Sequence, residues 1–162
     1  MEKMKVYPLI LSRVFPRYHK KGGMRTYFAE KFLLKGFSDV VGSWKKYHTI
    51  RANYDLWAKR FEKIAAGEAV LSVREWVGKP YAKGSSQREL LRLTRDDGIG
   101  IQKLSFLNRS TAWVDFPENG LSVDLKELAA YDGLSLEDWC DWFRSYDVAG
   151  PMAIIHFTSF RY

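Results

Sequence analysis

The stretch from Ala69 to Phe106 constrains the fold most, because short β-prone runs are cut there by strong turn residues. Ala69–Trp76 is rich in valine and leucine and stops at Gly78-Lys79-Pro80. Glu89–Arg95 alternates, with Leu91 and Leu93 facing one way, and Asp96-Asp97-Gly98 is a hairpin-type turn into Ile99–Phe106. The pattern predicts an antiparallel β-meander and excludes an all-helical fold. Apolar runs are short throughout, as in Pro8–Leu11 and Met152–Ile155. A membrane-spanning helix needs about 20 apolar residues, so none is expected.

Around this meander the punctuation is regular. Val6–Phe15 reads as a first strand ending at Pro16, and Arg17–Arg25, with Gly22-Gly23, reads as a basic loop. Thr26 opens an amphipathic helix with Phe28, Phe32 and Leu33 on one side and Gly36 as its stop. Tyr47–Ala52 is a short strand. Asn53 then caps a helix whose Trp57, Phe61, Ile64 and Ala65 form a buried stripe closed by Gly67. Asp124 with Glu127, and Ser135 with Asp138, have cap spacing for two short helices. Gly133 ends the first, Leu136–Tyr146 is the second, and Met152–Phe160 closes the chain as a strand. This order gives an α+β domain, mostly antiparallel, with helices at one end, which favours a small, partly closed barrel.

At 162 residues the chain suits one domain over 1–162, and 46% hydrophobic residues suffice for a core. The N-terminus leads into no hydrophobic signal core, and the single cysteine, Cys140, excludes an internal disulfide framework. A cytoplasmic protein is expected. Charge is unevenly divided. Residues 1–83 hold 18 Lys and Arg against 7 Asp and Glu, a net of +11, whereas residues 84–162 hold 8 against 12, a net of −4. Such a basic half attracts polyanions, nucleic acid first, unless it is simply a solvated lysine-rich surface.

Several chemistries find no support. His19, His48 and His156 are far apart and Cys140 has no zinc-spaced partner, so neither a metal nor a cofactor is expected. His156 reads as a packed core histidine. Gly98-Ile99-Gly100 is a turn, and no serine sits in a nucleophile elbow. Trp44, Trp76 and Trp113 are the tryptophans considered for stacking on a base. More informative is Lys45-Lys46-Tyr47-His48-Thr49-Ile50-Arg51. Alternation sends Lys46 and His48 one way and Thr49 and Arg51 the other. A twist or bulge at the strand end would let Lys46, Thr49 and Arg51 converge on one cavity suited to phosphate or a polarised carbonyl. The alternative is an edge strand with solvent-facing charges.

Lys46-x-x-Thr49-Ile50-Arg51 after a helix, followed by Gly67-Glu-Ala-Val-Leu-Ser-Val-Arg74, resembles the ASCH domain family of the PUA-like superfamily. Val123–Phe143, with Asp132-Gly133-Leu134-Ser135, is similar to that family's two helical turns before its last strand. The resemblance spans most of residues 5–162. It implies a PUA-like β-barrel with flanking helices and a cleft for RNA or a modified nucleoside or nucleotide. Lys46, Thr49, Arg51, Arg74 and Trp76 are then the ligand-binding candidates. One small ASCH branch, similar in outline, removes the acetyl group of N4-acetylcytidine. By position its lysine, threonine and acid fall on Lys46, Thr49 and Asp132, where Thr49 would be the nucleophile, Lys46 the base and Asp132 an assisting acid. Asp132 is one methylene shorter than that family's glutamate. This chain also adds Phe37–Trp44, a basic loop with His19, Lys20, Lys21 and Arg25, and a longer helix over Asp55–Ala66, additions that would roof the cleft or widen its basic face. An RNA or nucleotide binder, an amidohydrolase, and a protein adaptor on the same fold are the functions these features allow.

Overall fold

Two strands buried on both faces organise the structure, a computed structural model that describes residues 3–33 and 45–162. They are β3 (Ala69–Val77) and β8 (Met152–His156), and their runs Ala-Val-Leu-Ser-Val and Met-Ala-Ile-Ile-His are wholly buried. Continuous apolar runs of this kind belong to strands with neighbours on each side and cover on both faces. β3 is central in a three-stranded sheet, between β1 (Lys5–Ile10), to which it is parallel, and β4 (Ser86–Leu93), to which it is antiparallel. β8 lies in a five-stranded antiparallel sheet between β2 (His48–Arg51) and β5 (Gly100–Asn108). β6 (Thr111–Val114) and β7 (Leu121–Val123) extend that sheet beyond β5.

Among the described residues four α-helices complete the fold. α1 (Phe28–Leu33) follows the basic loop, and α2 (Tyr54–Ala65) joins β2 to β3. α3 (Leu125–Tyr131) and α4 (Leu136–Phe143) precede β8. Asn53 Oδ1 accepts from the Leu56 amide to cap α2, and Trp57, Phe61 and Ile64 of α2 enter the core shared by both sheets. Ala65, expected in that stripe, is exposed. The fold is α+β and mostly antiparallel, and no helix among the described residues is long and apolar enough to cross a membrane. Gly36, Trp44 and the rest of the Phe37–Trp44 insertion lie outside the described residues.

The meander requires correction. β3 and β4 form the expected hairpin, but β4 and β5 belong to different sheets. Between them Arg95–Asp97 forms a 3₁₀ turn capped reciprocally by Thr94 and Asp97, and Gly98 leaves it with φ +77°. The turn thus redirects the chain from one sheet to the other instead of folding it back. A bulge in β4 at Leu90, opposite the Val73–Arg74 step, also interrupts its pairing, and of the two leucines expected on one face Leu93 is buried while Leu91, nearer the bulge, is 46% exposed. The first strand ends at Ile10, short of Phe15, because the chain then bends into a loop closed by the Val14–Arg25 bridge. The second late helix stops at Phe143 and the last strand at His156.

The two sheets meet at their edges. β1 and β2 are edge strands, and the Arg51 guanidinium at the end of β2 donates to the Ile10 carbonyl at the end of β1 over 2.7 Å. The inter-sheet turn is the more sensitive test of this architecture. A Cβ at Gly98 would lie 3.1 Å from Ser159 Cβ, whereas Gly84, at φ +83°, has open space. Gly98→Ala is expected to cost about 1–2 kcal/mol in urea denaturation, and Gly84→Ala about half of that. Equal losses at the two positions would contradict the close turn.

Candidate functional site

α3 is short, and the carbonyls at its C-terminal end need donors from outside the helix. The segment leading into β2 supplies them. The Tyr47 amide donates to the Tyr131 carbonyl at 2.8 Å, and Lys46 Nζ donates to the Asp132 carbonyl at 2.7 Å. From α1, Lys31 Nζ donates to the Gly133 carbonyl, also at 2.7 Å. Cations are favoured at a helix C-terminus, so two ammonium groups suit this position. The Lys46 amide donates in turn to the Lys31 carbonyl, and the Phe157 amide to the Tyr47 carbonyl. Elements far apart in sequence are thereby fixed around Lys46.

Lys46 is the largest fully buried side chain among the described residues, at 1% exposure. Its Nζ lies 2.5 Å from Asp132 Oδ1 and 4.1 Å from the centre of the Phe28 ring. Asp132, at the C-cap of α3, therefore reaches the lysine despite its short side chain. Burial pulls the Lys46 ammonium down from its ordinary 10.5 to about 8, although the attraction of Asp132 opposes the shift. Burial likewise pushes the Asp132 carboxyl up, against the attraction of Lys46 and Arg51. The pair is dry enough for each charge to be costly, and each is tolerated because the other is present.

Thr49 and Arg51 share one face of β2, as alternation requires. Arg51 Nη1 donates to Thr49 Oγ1 at 2.8 Å and to the Ile50 carbonyl at 3.0 Å. Lys46 joins them because β2 begins only at His48, so the lysine precedes the pleat and is free of its alternation. His48 points the opposite way, where its Nε2 meets the Tyr162 hydroxyl at 2.7 Å. His156 is fully buried beside Gln102, a core histidine whose pKa burial lowers to about 3.

Lys46, Thr49, Arg51 and Asp132 all line one cavity of about 880 Å³. Trp57, Trp76, Trp142 and Tyr146 contribute aromatic wall, and Arg13, Arg25, Lys79 and Tyr81 also line it. Trp76, expected as a ligand contact, is there. Arg74 is not among the lining residues, because its guanidinium turns along the sheet to Ser72 Oγ and Gln87 Oε1. Trp113 packs against Phe116 away from the cavity. In the basic loop only Arg25 lines the cavity. Lys20 and Lys21 pair with Glu137 and Asp138 on α4, and His19 packs beside Asp138 and Asp141. The acidic second half of the chain thus neutralises part of the basic first half.

Sequence reasoning missed Trp142, Tyr146, Lys79 and Tyr81 as cavity residues. Gly78-Lys79-Pro80 carried a signal only for a strand break, and Trp142 and Tyr146 fall in a segment read only as a helix. Among the described residues no group of three or more His, Cys, Asp and Glu side chains is placed to hold a metal ion. Chemically, the floor offers two cationic donors, a hydroxyl and a carboxyl under flat aromatic walls. Comparison of the chain with protein-family models, with curated proteins and with solved structures gave no match.

The burial of Lys46 sets a pH dependence with a definite sign. Between about 8 and 10.5 the unfolded lysine is protonated and the folded one is not, so the unfolded state binds more protons. Stability then rises with pH through that window, by up to about 1 kcal/mol per unit. Urea denaturation near pH 7.5 and near pH 9.5 measures it, and Lys46→Met is expected to reduce the rise to the smaller part contributed by Lys31 and Lys45, whose ammonium groups burial also lowers. A wild-type protein equally stable at both values would place Lys46 in water.

Proposed function

We propose that this chain binds a nucleotide, with the base enclosed in the aromatic cavity and its polar edge read by Lys46, Thr49, Arg51 and Asp132. The observation carrying this reading is the convergence of four polar groups, from two segments distant in sequence, on one aromatic-lined hollow of about 880 Å³. Small-ligand sites are typically about 300–1,000 Å³, mostly apolar, with a few convergent polar groups. A nucleobase has two π-faces for such walls and an edge of donors and acceptors for such a floor. The cavity fits one nucleotide, free or presented by RNA, better than a length of duplex. The fold we infer is a PUA-like barrel of the ASCH type. The facing edges β1 and β2, tied by Arg51 to Ile10, are the seam at which that barrel would close.

A second reading, an amidohydrolase acting on an N4-acetylcytidine-like nucleoside, is favoured by one observation. With Lys46 held at about 8, roughly a tenth of it is a neutral amine near pH 7. Thr49 Oγ1 would attack the acyl carbonyl as Lys46 Nζ takes its proton. Lys46 would then return that proton to the departing amine, and water would release the acyl group from Thr49. That step needs Lys46 beside Thr49. Here Lys46 Nζ donates to Asp132, and Thr49 Oγ1 accepts from Arg51. Binding is accordingly the primary reading.

Trp57, Trp76 and Trp142 in the wall make intrinsic fluorescence a direct reporter. Titration with cytidine, N4-acetylcytidine and adenosine is expected to quench emission for at least one, with Kd on the order of micromolar. Asp132→Asn, which keeps the side-chain shape, is expected to weaken that binding about tenfold, or ~1.4 kcal/mol. Chromatography of the same mixtures separates the readings, since cytidine released by wild type but not by Thr49→Ala makes the protein a hydrolase. Absence of quenching by all three, with no turnover, would refute both.

A further inference from the structure

Above the neutral walls, the mouth of the cavity carries a second set of charges that base recognition does not use. Arg13 lies just after β1, and Lys79 lies in the loop after β3, so two separate segments bring cations to one rim. Both are exposed, and neither is in an ion pair among the described residues. Among the described residues the only hydrogen bond of the Arg13 side chain is a long one, 3.4 Å, to the Trp76 carbonyl across the mouth. Arg25 also lines the cavity but is engaged by Glu30 at 2.7 Å. Among the described residues the sole carboxylate lining the cavity is Asp132, and it is engaged at the floor by Lys46. Some exposed cations of this chain find acids, as Lys20 and Lys21 do on α4 and Arg88 does with Glu75, whereas the two at the rim are distinguished by lining a cavity.

Tyr81 adds a second element at the same rim. It is 85% exposed, has φ +59° and stands 4.9 Å from the Trp76 ring. A bulky residue in the left-handed region is uncommon, and an aromatic ring left this exposed gains little from burial. The rim therefore combines uncompensated cations with an available aromatic face.

We infer that Arg13 and Lys79 form a phosphate subsite at the cavity mouth, so that the ligand is a nucleoside 5′-phosphate with its base inside and its phosphate on the rim. The inference rests on the nucleotide reading above and specifies its ligand class. A guanidinium offers a phosphate two parallel donors and an ammonium adds a mobile point charge. A free mononucleotide and a phosphodiester in a single strand present the same phosphate chemistry to this rim. In the strand, the neighbouring base would stack on Tyr81.

The test titrates wild type and Arg13→Gln/Lys79→Gln with cytidine, cytidine 5′-monophosphate, adenosine, adenosine 5′-monophosphate and a short single-stranded oligonucleotide, at low salt. For wild type the monophosphates are expected to bind about tenfold more tightly than their nucleosides, an advantage that fades by about 0.3 M salt. In the double variant that advantage is expected to vanish while nucleoside affinity is unchanged. Both positions are exposed, and an unchanged melting temperature confirms folding. An oligonucleotide that binds more tightly than the monophosphate, and loses the gain in Tyr81→Ala, assigns the strand as the source. One that binds no better assigns the free mononucleotide. Nucleosides and monophosphates binding equally would overturn the phosphate subsite and leave the base pocket standing. Failure of every ligand to bind would overturn both.

Discussion

The ammonium of Lys46, placed against the C-terminal end of α3 and its Asp132 carboxyl, is the interaction on which the rest of the structure depends. An isolated ion of that size costs several kcal/mol to bury, so it is found in a protein interior only with partners in place. Here the partners are a carbonyl and a carboxylate of one residue, with an aromatic face alongside. The backbone of the same segment bonds to α1, to α3 and to the chain just after β8. Removing the lysine would therefore strand a buried carboxyl and loosen three elements together. Gly133 turns the chain out of α3 at φ +85°, a conformation that other residues rarely adopt.

Arg51 plays the complementary part on the opposite side of the floor. Its fork is shared among Thr49, the Ile50 carbonyl and the Ile10 carbonyl, so it fixes a hydroxyl in the cavity while tying the edge strands of two sheets. The seam between sheets leaves a hollow, and the aromatic side chains of α2, β3 and α4 shape it without filling it. A floor of this kind is dry, and dryness accounts for both shifted groups, the lysine downward and the aspartate upward. Structure and chemistry here have one origin. The same desolvation that makes the pair expensive makes its donors and acceptors selective for a ligand that can replace water.

Local signals in the sequence were reliable where one short-range interaction decides the outcome. Asn53, Ser135, Gly67 and Gly133 cap or close helices as their types require. β2 and β3 start and stop within a residue or two of the expected positions. Errors arose where partners lie far along the chain. Asp96-Asp97-Gly98 has hairpin chemistry, yet Gly98 packs on Ser159, and the strand that follows pairs with β8. Nothing within the turn itself encodes that destination. Leu91 and Leu93 alternate in register with Val73 and Leu71, yet only Leu93 is buried, because β4 is an edge strand whose cover is set by tertiary packing. At the site, Thr49 and Arg51 follow from alternation, whereas Lys46 and Asp132 meet through the packing of α3 against the approach to β2. Arg74 stands where the resemblance implied a ligand contact, but Ser72 and Gln87 hold its guanidinium along the sheet. Tyr81 and Lys79 sit in a loop whose Gly and Pro advertise only a break, so their place at the rim is set by tertiary structure alone.

The most direct test of the account is an NMR titration of the Lys46 side chain, with its 13Cε resonance assigned by its loss in Lys46→Arg. An apparent pKa near 8, well below the other lysines and moved by Asp132→Asn, is what a buried pair at the cavity floor requires. A Lys46 that titrates with the exposed lysines and is indifferent to Asp132 would contradict it.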